Sequence, residues 1–302
     1  MDIYLPIAGQ SVNAVFIIVL GFVVGLLSGM FGVGGGFLTT PLLIFYGIPP
    51  TVAVASATTQ ITGASVSGVI VHARRGGVDM KMGGVMIAGG LVGSIVGAGL
   101  FRLLQTTGQI DVVIGLLYVV ILTWIGIIML TDSLTALGYL KAKSAEGRPR
   151  HNRWVASLPL RWRFHGSGLY ISPIAPLALG LIAGMLTVFL GIGGGFILVP
   201  AMIYLLGMPA RVVIGTSLIM ILVVSAATTL VHALTTRAVD IVLAALLLAG
   251  GVIGAQYGAL LTLRIKPDLM RFALAIIILL VALRMFLGLF WHPDEIFSVE
   301  YL

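Results

Sequence analysis

Long stretches of the chain are apolar and carry no charged side chain. No Asp, Glu, Lys or Arg occurs in residues 3–73, 82–101, 112–131 or 164–210. About 20 consecutive apolar residues suffice for a helix to cross the hydrocarbon core of a bilayer, so the pattern predicts several membrane-spanning helices. A transmembrane β-barrel needs strands that alternate apolar and polar residues, and runs such as 273–283 do not alternate.

Glycines, prolines and short polar connections divide these stretches into ten predicted helices. In the first half of the chain they cover residues 12–30, 35–46, 52–72, 82–101 and 112–131, and in the second half 176–190, 194–206, 212–232, 241–263 and 270–290. The segments 35–46 and 194–206 are short: at about 1.5 Å per residue they do not span a core of roughly 30 Å. The predicted fold class is an all-α polytopic membrane protein, with four long helices and one short helix in each half.

The composition excludes the soluble classes of protein. Hydrophobic residues make up 59% of the 302 positions and charged residues only 9%, whereas a soluble domain carries about 25% charge. The chain has no cysteine, which excludes disulfides and thiolate chemistry. Its net charge of +7 comes mainly from Lys and Arg in the connections between apolar segments, a pattern that indicates membrane topology and not nucleic-acid binding.

The two halves of the chain repeat one pattern. The run of residues 32–37, GVGGGF, returns at residues 191–196 as GIGGGF. Further matches follow in the same order: Pro41 with Pro200, Pro49 with Pro209, Ser65 with Ser225, His72 with His232, Asp79 with Asp240, and Gly93 with Gly254. This colinear series predicts two homologous transmembrane repeats, residues 1–131 and 171–302, joined by a basic, tryptophan-containing cytoplasmic connection at 132–170.

The short segments determine how the two repeats are oriented. If each crosses the bilayer with the help of the glycines before it, each repeat has five passes and the second repeat is inverted. If each re-enters, each repeat has four passes and the two are parallel. Inversion places 14 of the 17 Lys and Arg residues on one face, and the parallel arrangement places 12 there. Because Lys and Arg concentrate in cytoplasmic loops, we favour inverted repeats with both termini outside.

The glycine runs are the first candidate for a binding site. Consecutive glycines break a helix, and the backbone groups freed by the break persist in a membrane only where protein or a water-filled cavity covers them. Each run precedes a short helix whose first-turn amides and dipole attract an anion. The predicted anion-binding glycines are Gly32, Gly34, Gly35, Gly36, Gly191, Gly193, Gly194 and Gly195.

Packing alone is the alternative for these runs. It is the predicted role of the spaced glycines Gly89, Gly90, Gly93, Gly97, Gly250, Gly251 and Gly254.

Polar side chains beyond the short helices are the second candidate. They are Ser56, Thr58, Thr59 and Gln60 in the first repeat, and Thr216 and Ser217 in the second. Hydroxyls and amides can donate to an oxyanion without a permanent charge, although such hydroxyls often donate to the carbonyl of residue i−4 instead. His72, Arg211 and His232 are candidates for proton coupling or for attracting the anion. An ordinary position near the membrane interface is the alternative for the two histidines.

The motifs GVGGGFLTTPLL and GIGGGFILVPAM, each followed by a run of small residues, resemble the TauE/SafE sulfite-exporter family of membrane permeases. The resemblance implies a secondary carrier that moves sulfur-containing anions such as sulfite, sulfoacetate or other organosulfonates, often outward. It also implies that the glycine runs and the hydroxyls after them are the substrate region.

The expected function is an alternating-access transporter of the bacterial inner membrane whose partners are a small anion and membrane lipids, with a coupling proton as a further candidate. An anion channel or a carrier for a small carboxylate is the alternative. An enzyme is disfavoured because no acid–base pair or histidine cluster lies within the spans. We expect no cofactor, metal or nucleic-acid partner, and the oligomeric state does not follow from the sequence.

Overall fold

The computed structural model describes residues 2–31, 36–74, 77–136, 159–261 and 267–290. These parts of the chain form ten α-helices and two β-hairpins. In chain order the elements are β1 (Asp2–Leu5), β2 (Gln10–Asn13), α1 (Ala14–Phe31), α2 (Gly36–Phe45), α3 (Pro50–Arg74), α4 (Met80–Thr106), α5 (Ile110–Ala136), β3 (Trp162–Phe164), β4 (Leu169–Ile171), α6 (Ile174–Leu190), α7 (Gly195–Tyr204), α8 (Ala210–Thr235), α9 (Ile241–Leu261) and α10 (Pro267–Phe290). Each of the ten predicted helices is present.

The outer faces of the helices are apolar. Among the described residues, α4, α5, α8, α9 and α10 contain segments long and apolar enough to cross a membrane. On α5, Leu116, Val120 and Trp124 follow one another at intervals of four residues and are all more than half exposed. An apolar stripe of this kind is stable against lipid and unstable against water. The chain therefore has the surface of an integral membrane protein.

Helices from the two halves of the chain pack against each other. The closest pairs are α1 with α9, α4 with α6, α5 with α10, and α3 with α8. On α1 and α9, Gly21 faces Leu247 and Gly25 faces Gly251, so these two helices are parallel. The faces of α4 and α6 meet in the same parallel sense. Each of these helices is thus held mainly by a partner from the other half.

The spaced glycines lie where neighbouring helices touch backbone to backbone. A Cβ atom at Gly93 would overlap the carbonyl group of Leu181, and one at Gly250 would overlap the carbonyl group of Ile18. A Cβ atom at Gly89 or Gly254 would likewise overlap a backbone oxygen of the facing helix, at 2.2 and 2.1 Å. One at Gly90 or Gly251 would meet a side-chain atom of a neighbouring helix at 2.5 or 2.9 Å, and one at Gly97 would be 3.1 Å from the backbone of Met185. The prediction that these glycines serve helix packing is therefore confirmed.

Replacing Gly93 with alanine is expected to lower the stability of the protein. The added methyl group must push α4 and α6 apart, and overpacking of this kind costs about 1–3 kcal/mol. Gly99 is the matched control on the same helix, because a Cβ atom there would meet no atom within 4 Å. Thermal unfolding of the purified variants in detergent should show a lower midpoint for Gly93→Ala than for Gly99→Ala. Equal midpoints would contradict the tight packing of this interface.

Two short β-hairpins, which the sequence pattern does not predict, stand before the first helix of each half. The strands β1 and β2 pair from Asp2 opposite Asn13 to Leu5 opposite Gln10. The strands β3 and β4 pair from Trp162 opposite Ile171 to Phe164 opposite Leu169. At three or four residues each, the strands are too short to produce a clear alternation of apolar and polar positions. The signal that marks them is the glycine that ends each turn, Gly9 and Gly168.

The turn of the second hairpin binds the aspartate that begins α4. One carboxylate oxygen of Asp79 accepts the backbone amides of Lys81 and Met82, at 3.1 and 3.0 Å, and so caps the helix. The other oxygen accepts the amide and the hydroxyl of Ser167, at 2.8 and 2.9 Å. Asp79 is buried. This carboxylate therefore joins α4 of the first half to the hairpin of the second half.

The first hairpin makes the matching contact with the aspartate that precedes α9. One carboxylate oxygen of Asp240 accepts the amides of Val242 and Leu243, both at 3.1 Å, and the other accepts the amide of Ile7 at 3.1 Å. Asp240 is fully buried. Asp79 and Asp240, matched in the sequence, thus hold equivalent positions in the fold, each bound by the hairpin of the opposite half.

Candidate functional site

Helices α1 and α2 form an antiparallel pair on either side of the first glycine run. The hydroxyl of Tyr46 accepts the amide of Asn13 at 3.3 Å, and the ring of Tyr46 stacks on Phe16 with centroids 4.6 Å apart. Because the residue after α2 lies beside the start of α1, α2 returns along α1. The start of α2 is consequently inside the bundle, where Gly36 and Phe37 are buried. Gly32, Gly34 and Gly35 lie outside the described residues.

The second glycine run interrupts the helix, as predicted. Helix α6 ends at Leu190 and α7 begins at Gly195. Between them Gly191, Gly193 and Gly194 have positive φ angles of 63°, 70° and 73°. Glycine adopts this left-handed conformation without strain, which explains the residue type at these positions. All of the residues from 191 to 195 are buried, so the break lies within the protein and away from lipid.

The starts of the two short helices lie side by side. The rings of Phe37 and Phe196, each the second residue of its helix, stack with centroids 4.4 Å apart and an interplanar angle of 4°. A Cβ atom at Gly36 would stand 2.6 Å from the carbonyl oxygen of Gly191. The hydroxyl of Thr40 donates to the carbonyl of Leu190 at 3.2 Å. The two glycine-linked helix starts, far apart in sequence, therefore form one feature of the structure.

The break at Gly193 lies opposite the middle of a long helix. A Cβ atom at Gly193 would be 2.9 Å from Ile61, 3.0 Å from Ile221 and 3.2 Å from the hydroxyl oxygen of Ser225. Ile61 is the twelfth of the 25 residues of α3. The break is thus close to the centre of the helix bundle and is enclosed by α3 and α8.

The start of α7 is a buried helix end without a side-chain cap. Its first position is preceded by Gly194, and no side chain of the described residues caps it. The Gly194 carbonyl accepts the amides of Ile197 and Leu198, while the amides of Gly195 and Phe196 have no acceptor within the helix. A buried helix start of this kind presents free donors and the positive end of the dipole, which is the environment that an anion needs.

The predicted hydroxyls donate to their own helices in this conformation. The acceptors are the carbonyls of Val54 for Thr58, Ala55 for Thr59, Val212 for Thr216 and Ile214 for Ser217, at 2.7–3.0 Å. A hydroxyl has a single proton to donate. These four hydroxyls can therefore only accept hydrogen bonds from other groups in this conformation. This is the alternative considered from the sequence, in which each hydroxyl donates to a carbonyl of its own helix.

Two of the predicted hydroxyls also join the halves of the chain. The hydroxyl of Ser56 accepts the amide of Asp240 at 3.3 Å, and that of Thr216 accepts the amide of Asp79 at 3.0 Å. Ser56 and Thr216 are both fully buried. Each of these hydroxyls thus accepts a hydrogen bond from the backbone amide of the aspartate in the opposite half.

Gln60 connects three helices. Its amide oxygen accepts the hydroxyl of Thr39 on α2 at 3.1 Å, and its amide nitrogen donates to the carbonyl of Leu247 on α9 at 3.4 Å. The residue is buried. One amide proton of Gln60 is left without a partner among these contacts, so the side chain holds the start of α2 in place and keeps one donor.

The candidates for coupling are described only in part. The side chains of His72 and Arg211 lie outside the described part of the structure. His232 is buried, with its Nε2 atom donating to the carbonyl of Val188 at 3.1 Å and its ring edge-on to Phe101 at 5.0 Å. Its side chain therefore faces the protein interior in the last turn of α8. Within the described ranges no three His, Asp or Glu side chains are grouped as a metal site requires.

A comparison with protein-family models shows which family the chain belongs to. The model described as "Sulfite exporter TauE/SafE" matches residues 17–285, which include both glycine runs and all of α2 to α9. The chain belongs to this TauE/SafE family. The resemblance noted in the glycine motifs is thereby confirmed over most of the chain.

Curated relatives of this TauE/SafE protein are named as transporters. The chain is similar to the "Probable membrane transporter protein YjnA" of Bacillus subtilis, with 30% identity over 90% of this chain and 99% of the relative. It is also similar to "Probable membrane transporter protein YunE" of the same organism, with 25% identity over 88% and 95% of the two chains. "Sulfite exporter TauE/SafE family protein 6" of Arabidopsis thaliana matches over a shorter segment, 46% identical over 17% of this chain and 12% of the relative. No solved structure matches the chain. The protein is thus an integral membrane protein of a transporter family.

Proposed function

We propose that this TauE/SafE protein is a secondary transporter that moves a small sulfur-containing anion, such as sulfite or an organosulfonate, across the bacterial plasma membrane by alternating access. Export is the proposed direction, following the family description. The observation that carries the proposal is the buried, uncapped start of α7 stacked against the start of α2. Two dipole ends directed toward one central region favour a negative charge there.

The proposed site attracts its substrate without a fixed opposite charge. The described residues nearest to the break are glycines, isoleucines, phenylalanines and hydroxyl residues. Amides and dipoles stabilise an anion by less than a buried Lys or Arg would, which permits release on the far side. Binding that is favourable but weak is what a carrier needs in order to complete its cycle.

We further propose that the chain consists of two inverted repeats with five passes each, 1–131 and 171–302, joined by a cytoplasmic connection. The directions of α3 and α8, matched in the repeat, support this arrangement. Ser56, near the start of α3, meets Asp240 beyond the end of α8. Gly215, near the start of α8, faces Gly77 beyond the end of α3. The two matched helices are therefore antiparallel, and one repeat is upside down relative to the other.

Lipid headgroups and a coupling proton are the further proposed partners. Lys81, Arg161 and Arg163 line a cavity of about 650 Å³ between the start of α4 and the hairpin β3–β4, next to the exposed Trp162. Basic and tryptophan side chains together are typical of the interface with anionic lipids. The proton is proposed because no nucleotide-binding motif occurs in the sequence to supply energy by hydrolysis.

Uptake into liposomes tests the proposed function. Purified protein is reconstituted and offered sulfite, thiosulfate, sulfoacetate, sulfate and acetate, with and without a pH gradient, and protein-free liposomes are the control. A carrier should show saturable uptake and faster exchange when the same anion is loaded inside. Uptake that rises linearly with concentration and shows no exchange would instead support an anion channel. A preference for acetate would support a carboxylate carrier, and no flux of any sulfur anion would overturn the proposal.

A further inference from the structure

Two hydroxyl groups on α8 are buried and have no hydrogen-bond partner among the described residues. They belong to Ser225 and Thr229, which are one helical turn apart and therefore on the same face of the helix. Ser225 is fully buried. Hydroxyls in membrane helices usually donate to the carbonyl of residue i−4, as Thr187 and Thr216 do in this protein. A buried hydroxyl without a partner is costly, so its persistence calls for an explanation.

The hydroxyl of Ser225 points at the glycine break. Its oxygen is 3.2 Å from the position that a Cβ atom of Gly193 would occupy. Gly193 is two residues before the start of α7, whose first-turn amides lack acceptors within the helix. The unpartnered hydroxyl and the uncapped helix start are thus independent features that meet in one place.

We propose that Ser225 and Thr229 are the hydroxyl donors that bind the transported oxyanion, together with the first-turn amides of α7. This inference rests on the proposed function and assigns the donors within the same site. It also separates these two residues from Thr58, Thr59, Thr216 and Ser217, whose protons are already used within their own helices. Of these six hydroxyls, those of Ser225 and Thr229 are the ones free to donate in this conformation.

The donor set favours an anion whose head carries three oxygens. Two hydroxyls and the amides of Gly195 and Phe196 give four donors and no positively charged side chain. A sulfite ion or a sulfonate group spreads its three oxygens over a pyramid, so donors on α7 and on α8 can each bind a different oxygen, whereas a carboxylate accepts hydrogen bonds at two oxygens in one plane. A site built of polar donors rejects a ligand that leaves some of them unpaired. The class of ligand is therefore a small trigonal oxyanion, and a carboxylate of similar size should bind more weakly.

The pair of hydroxyls is present in the second half of the chain alone. Ser225 is matched by Ser65 in the repeat, but the position matched to Thr229 is Val69. The two halves are therefore unequal at the centre of the site. We therefore assign the specific recognition of the anion to the second half of the chain, at the break at 191–194.

Separate replacement of the two hydroxyls tests the inference. Ser225→Ala and Thr229→Val remove one hydroxyl each and leave volume and fold nearly unchanged. Thr187→Val is the matched control, because Thr187 is buried nearby but donates to Ala183 of its own helix. Sulfite uptake into liposomes should show KM raised about tenfold to a hundredfold for the two test variants, with KM for the control close to that of the parent protein.

A second measurement separates a binding role from a structural one. Without anion, Ser225→Ala should unfold in detergent at the same temperature as the parent protein or higher, because no native hydrogen bond is lost. Addition of sulfite should raise the midpoint of the parent and of Thr187→Val, and raise that of Ser225→Ala much less.

The possible outcomes distinguish this inference from the proposed function. If the parent transports sulfite and both test variants keep its KM and its stabilisation by sulfite, the inference is wrong while the proposed function stands. A large loss of anion-free stability in Ser225→Ala also overturns it, since that marks a structural role. If the parent transports none of the anions in the uptake panel, the proposed function fails and the inference falls with it.

Discussion

Replacement of Gly193 with valine is expected to reduce sulfite uptake to the level of protein-free liposomes. The new side chain would begin 2.9 Å from Ile61, 3.0 Å from Ile221 and 3.2 Å from the hydroxyl of Ser225. It therefore occupies the space in front of the start of α7 where the anion is proposed to bind. A branched side chain also fits badly at the φ angle of 70° that Gly193 adopts.

Gly108→Val separates the blocked site from backbone strain. Gly108 has the same φ angle of 70°, in the connection between α4 and α5, and a Cβ atom there would meet no atom within 4 Å. Both variants thus carry a similar conformational penalty, of about 1–3 kcal/mol, and only one fills the site. Uptake by Gly108→Val should remain near the parent rate, with both proteins inserted in equal amounts. Full uptake by Gly193→Val, or equal losses in the two variants, would contradict the proposed site.

The positions of the helices could be predicted from the sequence because the membrane imposes a strong pattern. Uncharged apolar stretches of fixed length and paired glycine runs leave few alternative divisions of the chain. The spaced glycines likewise identified the helix contacts, as Gly93 against Leu181 and Gly250 against Ile18 illustrate. The helix partners did not follow, because apolar faces of similar composition pack equally well in many orders. The pairing of α1 with α9 and of α4 with α6 is a property of the three-dimensional arrangement.

The break in the helix at residues 191–194 could be predicted from the sequence, while the hydrogen bonds of the hydroxyls around it needed coordinates. Ser225 and Thr216 have the same functional groups in the same apolar helix, and nothing in the sequence tells which hydroxyl donates to its own carbonyl. The structure gives Thr216 an acceptor in Val212, whereas Ser225 has none within the described part of the chain. The role of Asp79 was hidden for a similar reason: its partner, Ser167, is 88 residues away in a hairpin too short to recognise.

Replacement of Asp79 with alanine is expected to cause the largest loss of stability among the variants considered. The carboxylate accepts the amides of Lys81 and Met82 and both the amide and the hydroxyl of Ser167. Alanine removes the cap of α4, worth about 1–2 kcal/mol. It also leaves the buried Ser167 donors without an acceptor, at a further cost of about 1–3 kcal/mol for each group. The total loss should be about 3–8 kcal/mol, seen as a lower unfolding midpoint in detergent.

The Asp79→Asn variant separates the two contributions. Its side chain would keep an oxygen for the amides of Lys81 and Met82, since asparagine caps helices as well as aspartate does, but it would turn an NH₂ group toward the amide of Ser167. Asp79→Asn should therefore lose the hairpin contact and keep the cap, with a midpoint between those of Asp79→Ala and the parent. Asp111→Ala is the control, because Asp111 also lies at a helix start but is exposed, and its removal should cost less than about 0.5 kcal/mol. An Asp79→Ala midpoint equal to that of Asp111→Ala would mean that the hairpin does not hold α4.

Because Asp240 binds Ile7 in the matching way, Asp240→Ala should also destabilise the protein strongly, which a single accidental contact at Asp79 would not predict.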